Sequence, residues 1–293
     1  MAEILDSREI CGSIEKTIKE EIVYLPKLCL ASISVGEDFS ANVYQLSQEK
    51  VAETLGIKYL SINLAADISF DEFKEEIDKL NSDTGVTGII LNKPFFPLWK
   101  DVEVFSLIDV KKDVEGMHPI NLGKFFIGNN QLGCSVDSMG VSTVGVVSPT
   151  VCSVVSLIKI TKVSLRGKKV TIIGFSSLIG KPLALFLGDE LATVSITHIA
   201  TYQAGNLEDY VKGADIVISA VGKPHLIKGE WIKKGAVVID VGTGEKNGKL
   251  TGDVEFSKAR ENASYITPVP GGIGRLTTMC LFHNLVVIAK NIL

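Results

Sequence analysis

Apolar and polar positions along this chain switch repeatedly between a helical period and short apolar runs. That alternation predicts a parallel α/β organisation. Apolar residues between Ser7 and Glu21 recur at helical spacing. The run LCLASISVG (Leu28–Gly36) reads as a short strand closed by glycine, and Ser40–Leu55 returns to a helical pattern with Gly56 at the expected stop. KYLSINL alternates as a strand, FDEFKEEIDKLN is an amphipathic helix, and GVTGIILNKP is a strand running into a proline-rich loop. These βα units predict a first domain over residues 1–137.

A second series begins after Leu165. VTIIG (Val170–Gly174) is apolar throughout, a helix starts near Ile179, and ATVSITHI, ADIVISAVG and AVVIDVG are further apolar strands. Near-continuous apolar strands separated by helices predict a doubly wound sheet buried on both faces, over residues 138–274. The last stretch, LTTMCLFHNLVVIAKNIL, predicts a long apolar helix (275–293) returning to the first domain. The uncharged run from Ser138 to Ile158 is long enough to span a bilayer. Its seven Ser/Thr residues, two glycines and Pro149 dilute it, and a buried core segment is the expectation.

Composition narrows the function. At 46% hydrophobic and 22% charged residues, the chain has an ordinary globular make-up. A net charge of −4 leaves no basic excess to neutralise phosphates, which excludes a general nucleic-acid binder. Cys11, Cys29, Cys134, Cys152 and Cys280 are odd in number and scattered, so neither a disulfide framework nor a metal site is expected. Acids from the third residue argue against a signal peptide, and a cytoplasmic protein without membrane contact is expected.

The turn after Val170–Gly174 reads Gly174-Phe-Ser-Ser-Leu-Ile-Gly180. Glycine permits a tight turn, Gly180 allows close helix–strand approach, and Ser176 with nearby backbone N–H groups faces the anion site of a helix N-terminus. Inside a βαβ unit, this points to a dinucleotide site. The next strand ends at Thr197–Thr201, with neither the acid that holds the ribose hydroxyl of NAD nor the arginine that holds the phosphate of NADP. Either nucleotide therefore remains open. Ala220–Pro224 and Asp240–Gly244 close later strands on the same side.

Three segments carry a specific resemblance. YITPVPGGIG (Tyr265–Gly274), KDVEGMHPINLG (Lys112–Gly123) and the block from Gly222 to Gly242 containing GEWIKKGAVVIDVG resemble signatures of the methylenetetrahydrofolate dehydrogenase/cyclohydrolase family. The resemblance implies a two-domain α/β protein. A mostly parallel N-terminal domain binds folate, a Rossmann-type domain binds NAD or NADP, and the C-terminal helix returns to the first domain. It also implies a homodimer acting on tetrahydrofolate one-carbon derivatives: hydride leaves the methylene bridge of 5,10-methylenetetrahydrofolate, and the methenyl product is hydrolysed in the same cleft. Tyr44 corresponds to a tyrosine against the folate ring, and Pro268, Pro270, Gly271 and Gly272 to the loop beside the substrate. Gly174, Phe175 and Ser176 correspond to the phosphate turn, and Ile199 and Thr243 to positions beside the nucleotide.

The departures concentrate on proton handling. Gln48 stands where the family has a lysine four residues after the tyrosine, and it cannot titrate near neutral pH. Lys50 lies about 240° around the helix from Tyr44 and points elsewhere. Asn92 replaces a glutamine, Lys93 an apolar residue and Glu115 an aspartate that holds the pterin ring. Phe175 and Ile199 are apolar where the family often has arginine and a polar residue. Val146–Pro149 follows an apparent insertion around Asn129 to Gly145, and Arg275-Leu276 follows the PVPGG loop. The expected function is a methylenetetrahydrofolate dehydrogenase whose cyclohydrolase step is weak or lost. The alternatives are a silent folate- or partner-binding paralogue and a full bifunctional enzyme with a rearranged proton shuttle, in which Lys93 could supply the missing charge.

Overall fold

From the N-terminus, a two-residue strand β1 (Glu3–Ile4) leads into α1 (Arg8–Ile22), whose Ile10, Cys11, Ile14 and Ile18 recur on one face and are buried. Next come β2 (Cys29–Val35), α2 (Phe39–Leu55), β3 (Lys58–Leu64), α3 (Phe70–Ser82) and β4 (Gly88–Leu91). Helices α4 (Asp101–Phe105) and α5 (Pro119–Ile127) and a hairpin of β5 (Ser135–Asp137) and β6 (Gly140–Ser142) complete this stretch. The computed structural model describes residues 1–95, 99–127, 135–137, 140–142 and 146–292. Phe96, Pro97, Cys134 and most of the apparent insertion from Asn129 to Gly145 lie outside them.

The chain divides into two units, one of Ile10–Pro149 with Thr278–Leu293, the other of Met1–Glu9 with Thr150–Thr277. In the first, β3, β2 and β4 form a parallel sheet in that order. Asp38 caps α2 by accepting from the Ala41 N–H at 2.9 Å, and Gly56 closes it at φ 69°. A glycine there avoids the left-handed penalty of other residues. Ser69 and Glu72 form a reciprocal cap at the start of α3. The other end of α3 is held from a distance. The Lys112 ammonium donates to the carbonyls of Leu80 and Asn81 at 2.8 Å and of Asp83 at 2.7 Å. Lys112→Met is expected to lower stability by about 2 kcal/mol, because charge-assisted bonds to helix-end carbonyls are lost. Urea unfolding would measure this.

After α6 (Pro149–Ile160), the second unit continues with β7 (Lys169–Ile173), α7 (Gly180–Asp189), β8 (Thr193–Thr197), α8 (Ile199–Gln203), α9 (Leu207–Lys212), β9 (Ile216–Ser219) and β10 (Val237–Asp240). A two-stranded ribbon of β11 (Gly244–Lys246) and β12 (Lys249–Thr251), then α10 (Phe256–Asn262) and β13 (Tyr265–Ile266), precede the last helix α11 (Gly274–Ile292). The sheet is parallel throughout, in the order β1-β13-β10-β9-β7-β8. The chain leaves β7 for β8 on one side and resumes at β9 on the other. Such a reversal opens a crevice at the carboxyl ends of the two central strands, where doubly wound folds bind ligands.

The uncharged run is a buried segment where it is described: Val151 to Ile158 of α6 are all buried. Among the described residues, no helix is long and apolar enough to cross a membrane. The C-terminal helix returns to the first unit, where the Asn284 amide donates to the carbonyls of Val114 and Val147, both at 2.8 Å. Met1–Glu9 was not expected in the second unit. Strand β1 pairs with β13, Glu3 opposite Tyr265 and Ile4 opposite Ile266.

Candidate active site

In the first unit, α2 carries Tyr44 and Gln48 on one face, four residues apart. Gln48 is 0% exposed and its amide is committed to the protein. Its Oε1 accepts from the Ser32 hydroxyl at 2.8 Å and from the Tyr59 phenol at 3.0 Å. Its Nε2 donates to Asn92 Oδ1 at 3.0 Å. Asn92 closes the ring, donating to Ser32 Oγ at 2.8 Å and to the Ile33 carbonyl at 2.9 Å. The sheet order explains the meeting: Ser32 is on central β2, Tyr59 on β3, and Asn92 just past β4. Burial pushes the Tyr59 phenol up to about 12, so this cluster is neutral across the physiological range. Lys50 is exposed on the same helix.

Tyr44 is half-buried, and its phenol is held well above its usual range by burial and, secondarily, by the neighbouring Glu115. Glu115 itself is buried. Burial first, and Asp113 second, push its carboxyl up to about 8, with Lys93 and a backbone hydrogen bond from Leu91 opposing. Asp113 shapes this loop, accepting from the His118 N–H and the Asn121 amide, both at 2.8 Å, and from the Glu115 N–H at 3.2 Å. Gly116 turns at φ 66°, where a Cβ would stand 2.9 Å from the Val146 carbonyl oxygen. Lys93 is engaged elsewhere: its ammonium pairs with Asp101 at 2.5 Å and lies 5.8 Å from the Phe95 ring centre. Its charge is also felt at Glu115, whose carboxyl it lowers.

The raised carboxyl has a stability signature. Below the unfolded value of Glu115 both states carry the proton. As pH rises towards 8 the unfolded chain ionises and the folded chain does not, so stability falls across that window. Glu115→Gln removes the term. Its stability relative to the parent should improve steadily from about pH 5 to about pH 8 and then level off. Thermal melts across pH would show a constant offset instead if Glu115 were ordinarily ionised.

In the second unit, the β7 turn is built for glycine. Gly174 adopts φ 116°, with a Cβ position 2.6 Å from the Ala220 carbonyl oxygen, and a Cβ on Gly180 would stand 2.1 Å from the Gly174 oxygen. Ser176 Oγ accepts from the Ile179 N–H at 3.1 Å, which sets the entry to α7. Phe175, Ser176, Ile199 and Thr243 are exposed around the carboxyl ends of the strands. Lys181 lies 5.0 Å from the Phe175 ring centre, and Lys223 4.8 Å from that of Tyr202. A strand–glycine–helix turn at the switch point, with exposed side chains and two cations around it, fits a dinucleotide.

Beneath this rim lie two buried acids, Asp240, at a strand end the sequence pattern places here, and Asp253, which that pattern does not single out. Asp253 accepts from the Ser219 hydroxyl and the N–H groups of Val221 and Lys223 at 2.7, 2.8 and 2.7 Å. Asp240, at the end of β10, accepts from the N–H groups of Asp253 and Val254 at 3.1 and 2.9 Å. Burial pushes Asp240 up to about 7, with neighbouring Asp253 acting in the same direction.

The loop of Pro268, Pro270, Gly271 and Gly272 follows β13 in this second unit. Gly271 adopts φ 107°, and the Gly272 N–H donates to the Pro268 carbonyl at 2.8 Å, where a Cβ would be only 2.5 Å from that oxygen. The structure thus gathers Tyr44, Gln48, Asn92 and Glu115 in one unit and the loop and nucleotide-turn residues in the other. Among the described residues, no cluster of His, Cys, Asp and Glu could hold a metal ion.

Residues 5–115 match the catalytic domain of tetrahydrofolate dehydrogenase/cyclohydrolase, and residues 148–293 match its NAD(P)-binding domain. The chain is 38% identical over 286 residues to the bifunctional protein FolD of Clostridium novyi, covering 96% of this chain and 97% of that protein. It is similar in structure to bifunctional FolD from Campylobacter jejuni, with a TM-score of 0.86, 35% identity and 100% of both chains covered. It is likewise similar to the Trypanosoma brucei methylenetetrahydrofolate dehydrogenase-cyclohydrolase complexed with NADP cofactor and inhibitor, with a TM-score of 0.88 and 32% identity over 99% and 98% of the two chains. The chain belongs to the tetrahydrofolate dehydrogenase/cyclohydrolase family, and Thr150–Thr277 of its second unit fall within the NAD(P)-binding match.

Proposed function

We propose that this chain oxidises 5,10-methylenetetrahydrofolate to the methenyl form and hydrolyses that product weakly or not at all. NAD or NADP, when bound, accepts the hydride. The observation that carries the reading is the Gln48 amide, buried and tied to Ser32, Tyr59 and Asn92. Removing hydride from the methylene bridge leaves a resonance-stabilised cation and needs no protein base, so orientation can supply most of the rate. Hydrolysis must activate water and move protons. An amide whose oxygen already accepts two donors offers neither.

The remaining residues hold and orient. The ring of Tyr44 offers a flat face, and Glu115, protonated at neutral pH, can both donate to and accept from the edge of a pterin. We assign folate binding to the unit of Ile10–Pro149 and nucleotide binding to the other, with Gly174, Phe175, Ser176, Ile199 and Thr243 around the nucleotide and Pro268, Pro270, Gly271 and Gly272 beside the folate. A cytoplasmic homodimer belongs to the same proposal. The test is nucleotide reduction by the purified protein with 5,10-methylenetetrahydrofolate, NAD and NADP in parallel. Reduction with either supports the reading, and silence with both favours a non-catalytic paralogue.

One observation favours a second reading. Glu115, titrating near neutrality beside Tyr44, could take over proton handling in a full bifunctional enzyme. That reading requires brisk hydrolysis in the parent and its loss in Glu115→Gln.

A further inference from the structure

Strand β9 ends at Ser219, and the next residues, Ala220 to Lys223, form one wall of the crevice opposite Gly174. This turn has little of its own to hold it. Gly222 sits at φ 77°, and Val221 and Lys223 turn their N–H groups inward, away from any strand partner. Both N–H groups end on one side chain. Asp253 takes Val221 on Oδ2 and Lys223 on Oδ1, and its Oδ2 also takes the Ser219 hydroxyl. Its carboxylate is fully buried, and its position is fixed from three sides. The Asp253 N–H is anchored on Asp240, and its carbonyl accepts from the Ile227 N–H at 2.9 Å. Gly242 leaves the space it fills: a Cβ there would lie 2.0 Å from Asp253 Oδ2. The neighbouring strand end lies close by, since a Cβ on Gly222 would be 3.2 Å from the Thr243 carbonyl oxygen.

We propose that Asp253 is a positioning residue of the nucleotide site, holding the Val221–Lys223 turn in the conformation that receives NAD or NADP. The inference rests on reading this crevice as the nucleotide site. It assigns a role to a residue that touches no ligand itself: a carboxylate with two acceptor oxygens converts two N–H donors into a fixed turn. Asparagine has the same shape but only one acceptor oxygen, and its NH₂ would face either Lys223 N–H or Val221 N–H, donor against donor. One anchor of the turn must then let go. The ordering that the parent has in advance would fall on nucleotide binding.

The experiment is a nucleotide titration, without folate, of the parent, Asp253→Asn and Ser219→Ala, using whichever of NAD and NADP the parent binds more tightly. Asp253→Asn is expected to weaken binding about ten- to a hundredfold, the loss of a charge-assisted anchor. Ser219→Ala leaves both backbone anchors in place and should change it by less than about threefold. In turnover, the nucleotide KM of Asp253→Asn should rise while the folate KM stays within about twofold. A folded Asp253→Asn that binds nucleotide as the parent does overturns the proposal. So does equal damage to both KM values, which would mark general loosening. If Asp253→Asn does not fold, amide exchange on the parent decides. Slow exchange at Val221 and Lys223 without nucleotide supports the proposal, and exchange at the rate of an open loop overturns it. A parent that binds neither nucleotide refutes the reading of the crevice itself, which is a different failure.

Discussion

Replacing Gln48 by lysine is expected to raise hydrolysis of methenyltetrahydrofolate by about a hundredfold or more, the usual worth of a placed proton-transfer group. The pocket suits the change. Gln48 is bounded by Ser32 Oγ, the Tyr59 phenol and Asn92 Oδ1, three oxygens that can each accept from an ammonium with three donors. A buried ammonium is costly unless such partners surround it. The new cation would share a helix face with Tyr44, whose phenol already senses the Glu115 carboxyl. It should therefore draw that carboxyl down from about 8 towards its ordinary range. Two readings check this: the rate of methenyl loss above the buffer blank, and the pH dependence of stability, which should flatten as Glu115 ionises. No gain in hydrolysis, in a folded variant, would mean that the proton path of this site is not organised around position 48.

The largest expected loss comes from Gly180→Ala. A Cβ there would sit 2.1 Å from the Gly174 carbonyl oxygen and 3.2 Å from Phe175 Cα. Both are backbone atoms, so no flexible side chain can yield. Helix α7 would have to withdraw from β7, and Leu183 and Leu187, both 0% exposed, would go with it. Overpacking of this kind typically costs about 1–3 kcal/mol. Nucleotide affinity should fall more than tenfold for about 1.4 kcal/mol of lost turn geometry. Gly188→Ala is the comparison: it lies in the same helix with nothing within 4 Å of its Cβ position, and it should be neutral or mildly stabilising. Thermal melting and nucleotide titration of the two variants check both claims.

Much of the fold was legible because its elements are long and periodic. Helix α2 announces itself by spacing and by Gly56, and β7, β9 and β10 by unbroken apolar runs that a sheet covered on both faces requires. Strand β1 could not be read in that way. Two residues carry no period, and Glu3–Ile4 is a strand only because Tyr265–Ile266, at the far end of the sequence, pairs with it.

The candidate site divides along the same line. Tyr44, Gln48, Asn92 and Glu115 stood out by their place in motifs, whereas Ser32 and Tyr59 did not. Their part depends on β3, β2 and β4 lying side by side, which local pattern cannot reveal. Asp253 left a fainter trace. An acid within GDV, paired with Gly242 after an otherwise apolar strand, signals a carboxylate where no neighbouring side chain fits. The signal needs two segments read together.

The most direct test of the account follows both activities in one preparation: nucleotide reduction with 5,10-methylenetetrahydrofolate, and disappearance of added methenyltetrahydrofolate against buffer alone. Steady reduction of NAD or NADP is expected, with methenyl loss close to the blank. Hydrolysis that keeps pace with reduction would contradict it, because it would place a working proton shuttle in a site whose Gln48 amide is tied to Ser32, Tyr59 and Asn92.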